Sequence, residues 1–144
     1  MTTDTLVPWL STAKPLTATA ILRLCGRALS IDDPVCNWIP EFAKGGKSDV
    51  RIVHLLTHTS GLPVVDSGWP ALTWDESLQK VCELELPSDA GPGTVAAYQP
   101  TSTWLILGEI LARVTGGSFD DAIQTLVRQP AGLRDVSCGM RESE

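Results

Sequence analysis

The sequence predicts a mainly α-helical chain, and three observations carry that prediction. Residues 16–25 form a largely apolar run of helical length in which only Arg23 is charged. Thr73-Trp74-Asp75-Glu76 and Ser118-Phe119-Asp120-Asp121 both open with the spacing of a capping box, the hydroxyl of one residue and the carboxylate three positions on covering free N–H groups at a helix start. The alternation of apolar and polar residues that marks a half-buried strand is nearly absent along the 144 residues.

The composition sets the frame. With 43% apolar and 19% charged residues the chain can bury a core and is not a disordered segment. Its formal net charge of −6 and its scattered basic residues argue against nucleic acid and against anionic membrane surfaces as partners. Cys25, Cys36, Cys82 and Cys138 form no C-x-x-C pair, and His54 and His58 stand at no finger spacing, so neither a zinc site nor any other cofactor is called for. The cysteines read as buried free thiols. No basic n-region precedes an apolar run at the N-terminus, and no apolar stretch is long enough to span a bilayer. As written, the chain reads as cytoplasmic.

In chain order, residues 5–10 read as extended, with Pro8 opposing a helix. The helix after them runs over residues 11–26. Pro15 lies in its first turn, where a missing N–H costs little, and Gly26 ends it. Being apolar nearly all round, it belongs in the middle of a protein. Ser30 to Val35 read as turn chemistry leading into a tucked loop pinned by Trp38, Ile39 and Phe42, and Lys44-Gly45-Gly46-Lys47-Ser48 as an exposed turn. Residues 50–56 read as a short helix stopped at Gly61, and residues 62–72 as a loop. A helix from Thr73 ends before Pro87. Residues 88–94 turn, and Val95-Ala96-Ala97-Tyr98 leads into a helix over residues 102–115 stopped by Gly116-Gly117. The last helix carries Phe119, Ile123, Leu126 and Val127 on one face and stops at Pro130, after which the tail becomes polar.

The chemistry starts at Ser11-Thr12-Ala13-Lys14. Residues three apart share a helix face, so the Ser11 hydroxyl and the Lys14 amine meet at the mouth of an apolar helix. Desolvation there favours the neutral amine, which activates a serine without a histidine. Taken alone the spacing is also that of an N-cap serine followed by a surface lysine. His54 and His58 leave a Ser–His reading open, although Ser60 beside them reads as a turn residue. Asp32 and Asp33 precede Pro34, where turn initiation explains them. The five tryptophans read as mostly core, with Trp69 and Trp74, in and just after a loop, as candidates for lining a substrate cleft.

Ser11-Thr12-Ala13-Lys14-Pro15-Leu16-Thr17-Ala18, then Leu29-Ser30-Ile31-Asp32-Asp33-Pro34-Val35, Ile39-Pro40-Glu41-Phe42 and His54-Leu55-Leu56-Thr57-His58-Thr59-Ser60-Gly61-Leu62 come in one order and spacing. Pro92-Gly93, Tyr98, Leu107-Gly108-Glu109-Ile110-Leu111 and Val114-Thr115-Gly116 come after them. As a set, over roughly residues 4–136, they resemble the β-lactamase-related serine hydrolases, the superfamily of class C β-lactamases, penicillin-binding proteins, D-aminopeptidases and β-lactamase-like carboxylesterases.

The resemblance implies an α+β β-lactamase/transpeptidase-like fold, of which this chain would carry the helical region and serine helix with most of the antiparallel sheet missing. It reads as one partial domain over residues 1–144: the end of an N-terminal strand region (1–10), the catalytic serine helix (11–26), the helical region (27–136) and a tail (137–144). Ser11 would be the acyl-accepting nucleophile, Lys14 its activating amine and Tyr98 the proton relay, acting on a small-molecule ester or amide. Without the resemblance Tyr98 reads as a turn tyrosine. Where the family has Tyr-x-Asn this chain has Tyr98-Gln99-Pro100, which suits an esterase better than a β-lactamase.

No lysine or histidine comes after Tyr98, so the family's third motif, K-[ST]-G or H-x-G on a strand bordering the site, is absent from these residues. That strand normally supplies an oxyanion donor, and losing one such donor costs about 2.7–4 kcal/mol of transition-state stabilisation. The expectation is a chain cut at both ends, with an apolar helix face exposed and open to self-association. Two readings stand: a serine hydrolase or acyl transferase, or a non-catalytic helical module inactive on its own.

Overall fold

The computed structural model describes residues 2, 5–68 and 70–138. It is a helical assembly: α1 (Lys14–Leu24), α2 (Ile52–Leu56), α3 (Trp74–Cys82), α4 (Ser102–Thr115), α5 (Phe119–Ile123) and α6 (Gln129–Ala131). Short 3-10 turns at Leu10–Ala13, Val35–Asn37 and Pro40–Ala43 link them, and a π-helical stretch, Gln124–Arg128, joins α5 to α6. Among the described residues extended pairing is limited to two isolated bridges, Cys25 with Leu29 and Pro34 with Arg51.

Helix α4 is the axis of the core. Ile106, Leu107, Ile110 and Leu111 are all fully buried on it. Helices α1, α2, α3 and α5 each pack against it, bringing Ile21, Leu55, Val81 and Ile123 into the same interior. Gly108 permits the approach of α3, since a Cβ at that position would stand 2.8 Å from the Trp74 ring. Val35, Ile39 and Phe42, the pins of the tucked loop, are fully buried as well. Arg113 locks this loop to α4, donating to Glu41 at 2.5 Å, to the Trp38 carbonyl at 3.0 Å and to Glu109 at 2.7 Å. The guanidinium holds the Glu41 carboxyl below the usual carboxylate range.

Local signals place several boundaries well. Thr73 accepts from the Glu76 N–H while Glu76 accepts from the Thr73 N–H, and Ser118 and Asp121 do the same for α5. Gly116, in the left-handed conformation at φ 72°, caps α4.

Elsewhere long-range packing overrides local appearance. The Lys44–Ser48 stretch is not simply an exposed turn. Lys47 is fully buried, its ammonium donating to the Leu84 carbonyl and lying 5.4 Å from the centre of the Phe42 ring. Pro130 does not stop the last helix. The π-helical register ahead of it hands the Gln129 N–H to the Gln124 carbonyl, Pro130 then falls in the first turn of α6, and Gly132 ends the run at φ 66°. Helix α2 stops at Leu56, five residues before Gly61, because His58 turns left-handed at φ 59°. No described tryptophan is fully buried; Trp9 and Trp74 are exposed. The thiols are free, and only Cys82 is buried, which pushes its thiol up to about 11.

Helix α1 is buried on one side only. Thr17, Ala20 and Ile21 face the core, while Leu22 is 56% exposed and the preceding Leu6, Val7, Trp9 and Leu10 are exposed too. Among the described residues no helix is long and apolar enough to cross a membrane.

Candidate active site

Ser11 lies in a 3-10 turn, not in the α-helix itself. That geometry sharpens the pairing with Lys14: at three residues per turn, positions i and i+3 eclipse. The Lys14 N–H closes the turn on the Ser11 carbonyl, and the Lys14 ammonium then donates to Ser11 Oγ at 3.0 Å. Pro15 suits the first turn of α1 because no carbonyl waits there for its missing N–H. Leu10, just before the serine, is held at φ 49°, a conformation costing a bulky L-residue roughly 1–2 kcal/mol. Strain of this kind concentrates where a side chain is held for use.

The partner arrives from far along the chain. Tyr98 OH lies 2.6 Å from Ser11 Oγ across 87 residues of sequence. The Lys14 ammonium is 5.4 Å from the centre of the Tyr98 ring and 5.6 Å from that of Trp104 on α4, so two aromatic faces flank the cation. Among the described residues no carboxylate pairs with it. The hydrogen bond from Ser11, then that from Lys14, pull the Tyr98 phenol below its ordinary value. Lys14 is half-buried, less withdrawn from water than the apolar helix suggests.

The Tyr98 segment is itself held. Gly93 N–H donates to the Thr59 carbonyl at 2.7 Å and Ala97 N–H to the His58 carbonyl at 2.9 Å. Gln99 N–H donates to His58 Nδ1 at 3.1 Å. The Gln99 side chain, 1% exposed, points inward, donating to the Leu62 carbonyl at 2.7 Å and accepting from Ser102. Gly61 makes the arrangement possible: at φ 77° a Cβ there would stand 2.2 Å from the Ala90 carbonyl oxygen.

Ser11, Lys14 and Tyr98 are thus brought together; Trp104, which the sequence does not single out, and His58, considered there only for a Ser–His pairing, stand beside them. Trp104 offers no signal beyond its place on an amphipathic helix. Trp74 is engaged elsewhere, donating to Glu109 at 2.7 Å and stacking on Phe119. Trp69 lies outside the described residues. No histidine hydrogen-bonds Ser11. His54 Nδ1 accepts from Arg51 N–H, and Ser60 is buried with its hydroxyl accepting from Leu62 N–H. Among the described residues no cluster of three or more His, Cys, Asp or Glu gathers to hold a metal.

The arrangement offers a hydroxyl flanked by an amine and an acidified phenol, a set suited to accepting an acyl group and passing its proton on. Comparisons with known proteins give the family. The family model described as Beta-lactamase matches residues 1–144. The esterase EstB of Burkholderia gladioli is 35% identical over 165 residues, covering 100% of this chain and 41% of its own length. Penicillin-binding protein 4* of Bacillus subtilis is 32% identical, covering 93% of this chain and 31% of that one. Among solved structures, a family VIII carboxylesterase superposes with TM-score 0.79 at 28% identity, over 93% of this chain and 38% of that one. The chain therefore spans about two fifths or less of the length of these relatives.

Proposed function

Because this chain belongs to the β-lactamase family of serine hydrolases, we propose that Ser11 forms an acyl-enzyme with a neutral carboxylic ester, with Lys14 and Tyr98 moving the protons. One observation carries the reading: Ser11 Oγ stands 2.6 Å from Tyr98 OH and 3.0 Å from Lys14 Nζ, although the tyrosine comes from a distant segment. Ser11 Oγ attacks the ester carbonyl as its proton passes to the flanking base. The tetrahedral intermediate collapses with the leaving alcohol taking a proton through Tyr98. Water, deprotonated by the same groups, then cleaves the acyl-serine and releases the acid.

An ester is favoured over a β-lactam by the two residues after the tyrosine. The Gln99 side chain is buried and occupied, and Pro100 carries no side-chain polar group, so neither hands a hydrogen bond to an amide or lactam substrate. The name of one relative, an esterase, agrees with this preference, whereas the penicillin-binding proteins make amide or lactam acylation the competing case.

The test is covalent. Incubating the chain with an activated short-chain ester, and in parallel with a fluorescent β-lactam, should give an intact-mass adduct with the ester that disappears in Ser11→Ala. An adduct that survives Ser11→Ala overturns the assignment. A folded chain that takes no adduct returns the reading to a helical module without turnover of its own.

A further inference from the structure

His58 has no part in the proton transfers above, yet it grips the chain on both sides of Tyr98. Its carbonyl accepts from the Ala97 N–H at 2.9 Å and its ring Nδ1 from the Gln99 N–H at 3.1 Å. The ring centre lies 4.9 Å from that of Tyr98 and 5.7 Å from that of Trp104. We propose that His58 is a positioning residue for Tyr98: the neutral imidazole holds the phenol against Ser11, and protonation of the ring releases it. The consequence for turnover rests on Tyr98 acting as the relay; the grip itself does not.

A backbone N–H can only donate, so Nδ1 must present a lone pair to Gln99, and the ring proton sits on Nε2. Adding a second proton at Nδ1 sets two donors face to face and removes one of the two ties flanking Tyr98. The groups facing the ring are the Lys14 ammonium from α1, the Tyr98 phenol and the Trp104 indole from α4. Among the described residues no carboxylate is ion-paired with the imidazole. Burial first, and then the Lys14 charge, hold its pKa below the ordinary histidine value. The ring is therefore neutral at neutral pH, and release comes only as pH falls through that lowered value.

The sequence supplies a direct reporter, since Tyr98 is the chain's single tyrosine. Tyrosinate absorbance at 295 nm then titrates this one phenol without any need for turnover. The wild-type midpoint should fall below the ordinary value of about 10. His58→Asn keeps an acceptor near the Nδ1 position and tolerates the positive φ, so its midpoint should stay with the wild type. His58→Ala removes the acceptor, and its midpoint should rise above the wild type's, toward the ordinary phenol value. A wild-type midpoint in His58→Ala, or a rise in His58→Asn equal to that of alanine, overturns the proposal. Should His58→Ala fail to fold, imidazole 15N shifts of the wild-type chain at neutral pH decide: a protonated Nδ1 overturns it and a bare Nδ1 upholds it. If the ester adduct forms, its rate should fall more steeply with acid in the wild type than in His58→Asn. If no adduct forms, the titration still judges the grip, so the two readings fail separately.

Discussion

The two walls that meet at the Ser11–Tyr98 contact are built differently. The tyrosine wall is cross-tied: backbone and side-chain bonds from residues 93–99 reach His58, Thr59 and Leu62, and buried Gln99 bonds Ser102 at the start of α4. The serine wall has little of this. Its 3-10 turn has no buried residue, Leu10 is 82% exposed in a left-handed conformation, and α1 buries only Thr17, Ala20 and Ile21, with Leu16 and Leu24 half-buried against the core. The difference teaches where the precision of the site comes from. Tyr98 is placed by hydrogen bonds local to its own wall, whereas Ser11 is placed by the docking of α1 against α4 and α5. The walls should therefore respond to substitution unequally.

Adding a single methyl group should have its largest effect on the tyrosine wall. Gly61→Ala forces a side chain into left-handed backbone, at roughly 1–2 kcal/mol, and drives its Cβ to 2.2 Å from the Ala90 carbonyl oxygen. Relieving that clash moves backbone, a further 1–3 kcal/mol or so. A loss of about 2–5 kcal/mol in chemical denaturation is expected, together with a Tyr98 titration shifted toward that of a free phenol. A loss below about 1 kcal/mol would show that residues 58–62 do not press on the loop after Ala90, and the contrast between the walls would collapse.

On the serine wall a substitution should help. Leu10 has almost no contact to lose, and asparagine adopts positive φ more readily than leucine. Leu10→Asn should raise stability by about 0.5–1 kcal/mol and leave the Tyr98 titration unmoved, since asparagine keeps the left-handed turn that carries Ser11. A destabilised variant would mean that the leucine side chain is covered in solution, and a shifted phenol that this side chain takes part in placing the serine.

How much of this is legible in the sequence depends on the range of each interaction. The capping boxes at Thr73 and Ser118, the span of α4 and the closeness of Ser11 to Lys14 are contacts within four residues, and the sequence carries them outright. Tyr98 is found through its place among motifs resembling a family, because nothing near residue 98 points 87 positions back to Ser11. Lys47 is misleading because glycines and lysines spell an exposed turn, while its burial depends on Leu84 and Phe42, which no local pattern connects to it. His58 stays in the background for the same reason. Its turn is readable, but its grip on Gln99 spans 41 residues. Trp74 is half of a similar case: its loop-edge position is readable, but its bond to Glu109 and its stacking on Phe119 span 35 and 45 residues.

The smallest effect, that of Leu22→Ala, tests the serine wall from its outer side, with Ile21→Ala as its buried reference. Ile21 and Leu22 are neighbours on α1 with the same bulk and opposite surroundings, 0% and 56% exposed. Ile21→Ala should cost about 2–5 kcal/mol, since the cavity opens beside α4. Leu22→Ala should change stability by no more than about 0.5 kcal/mol, because little contact is lost and alanine is the better helix former. The comparison is informative through its failure. A Leu22→Ala cost above about 1 kcal/mol that grows with protein concentration would mean that another copy of the chain covers this face in solution, as mass action stabilises whatever binds the folded state. The exposed Leu22 would then lie in an interface, and the looseness of the serine wall would be a property of the separated chain alone.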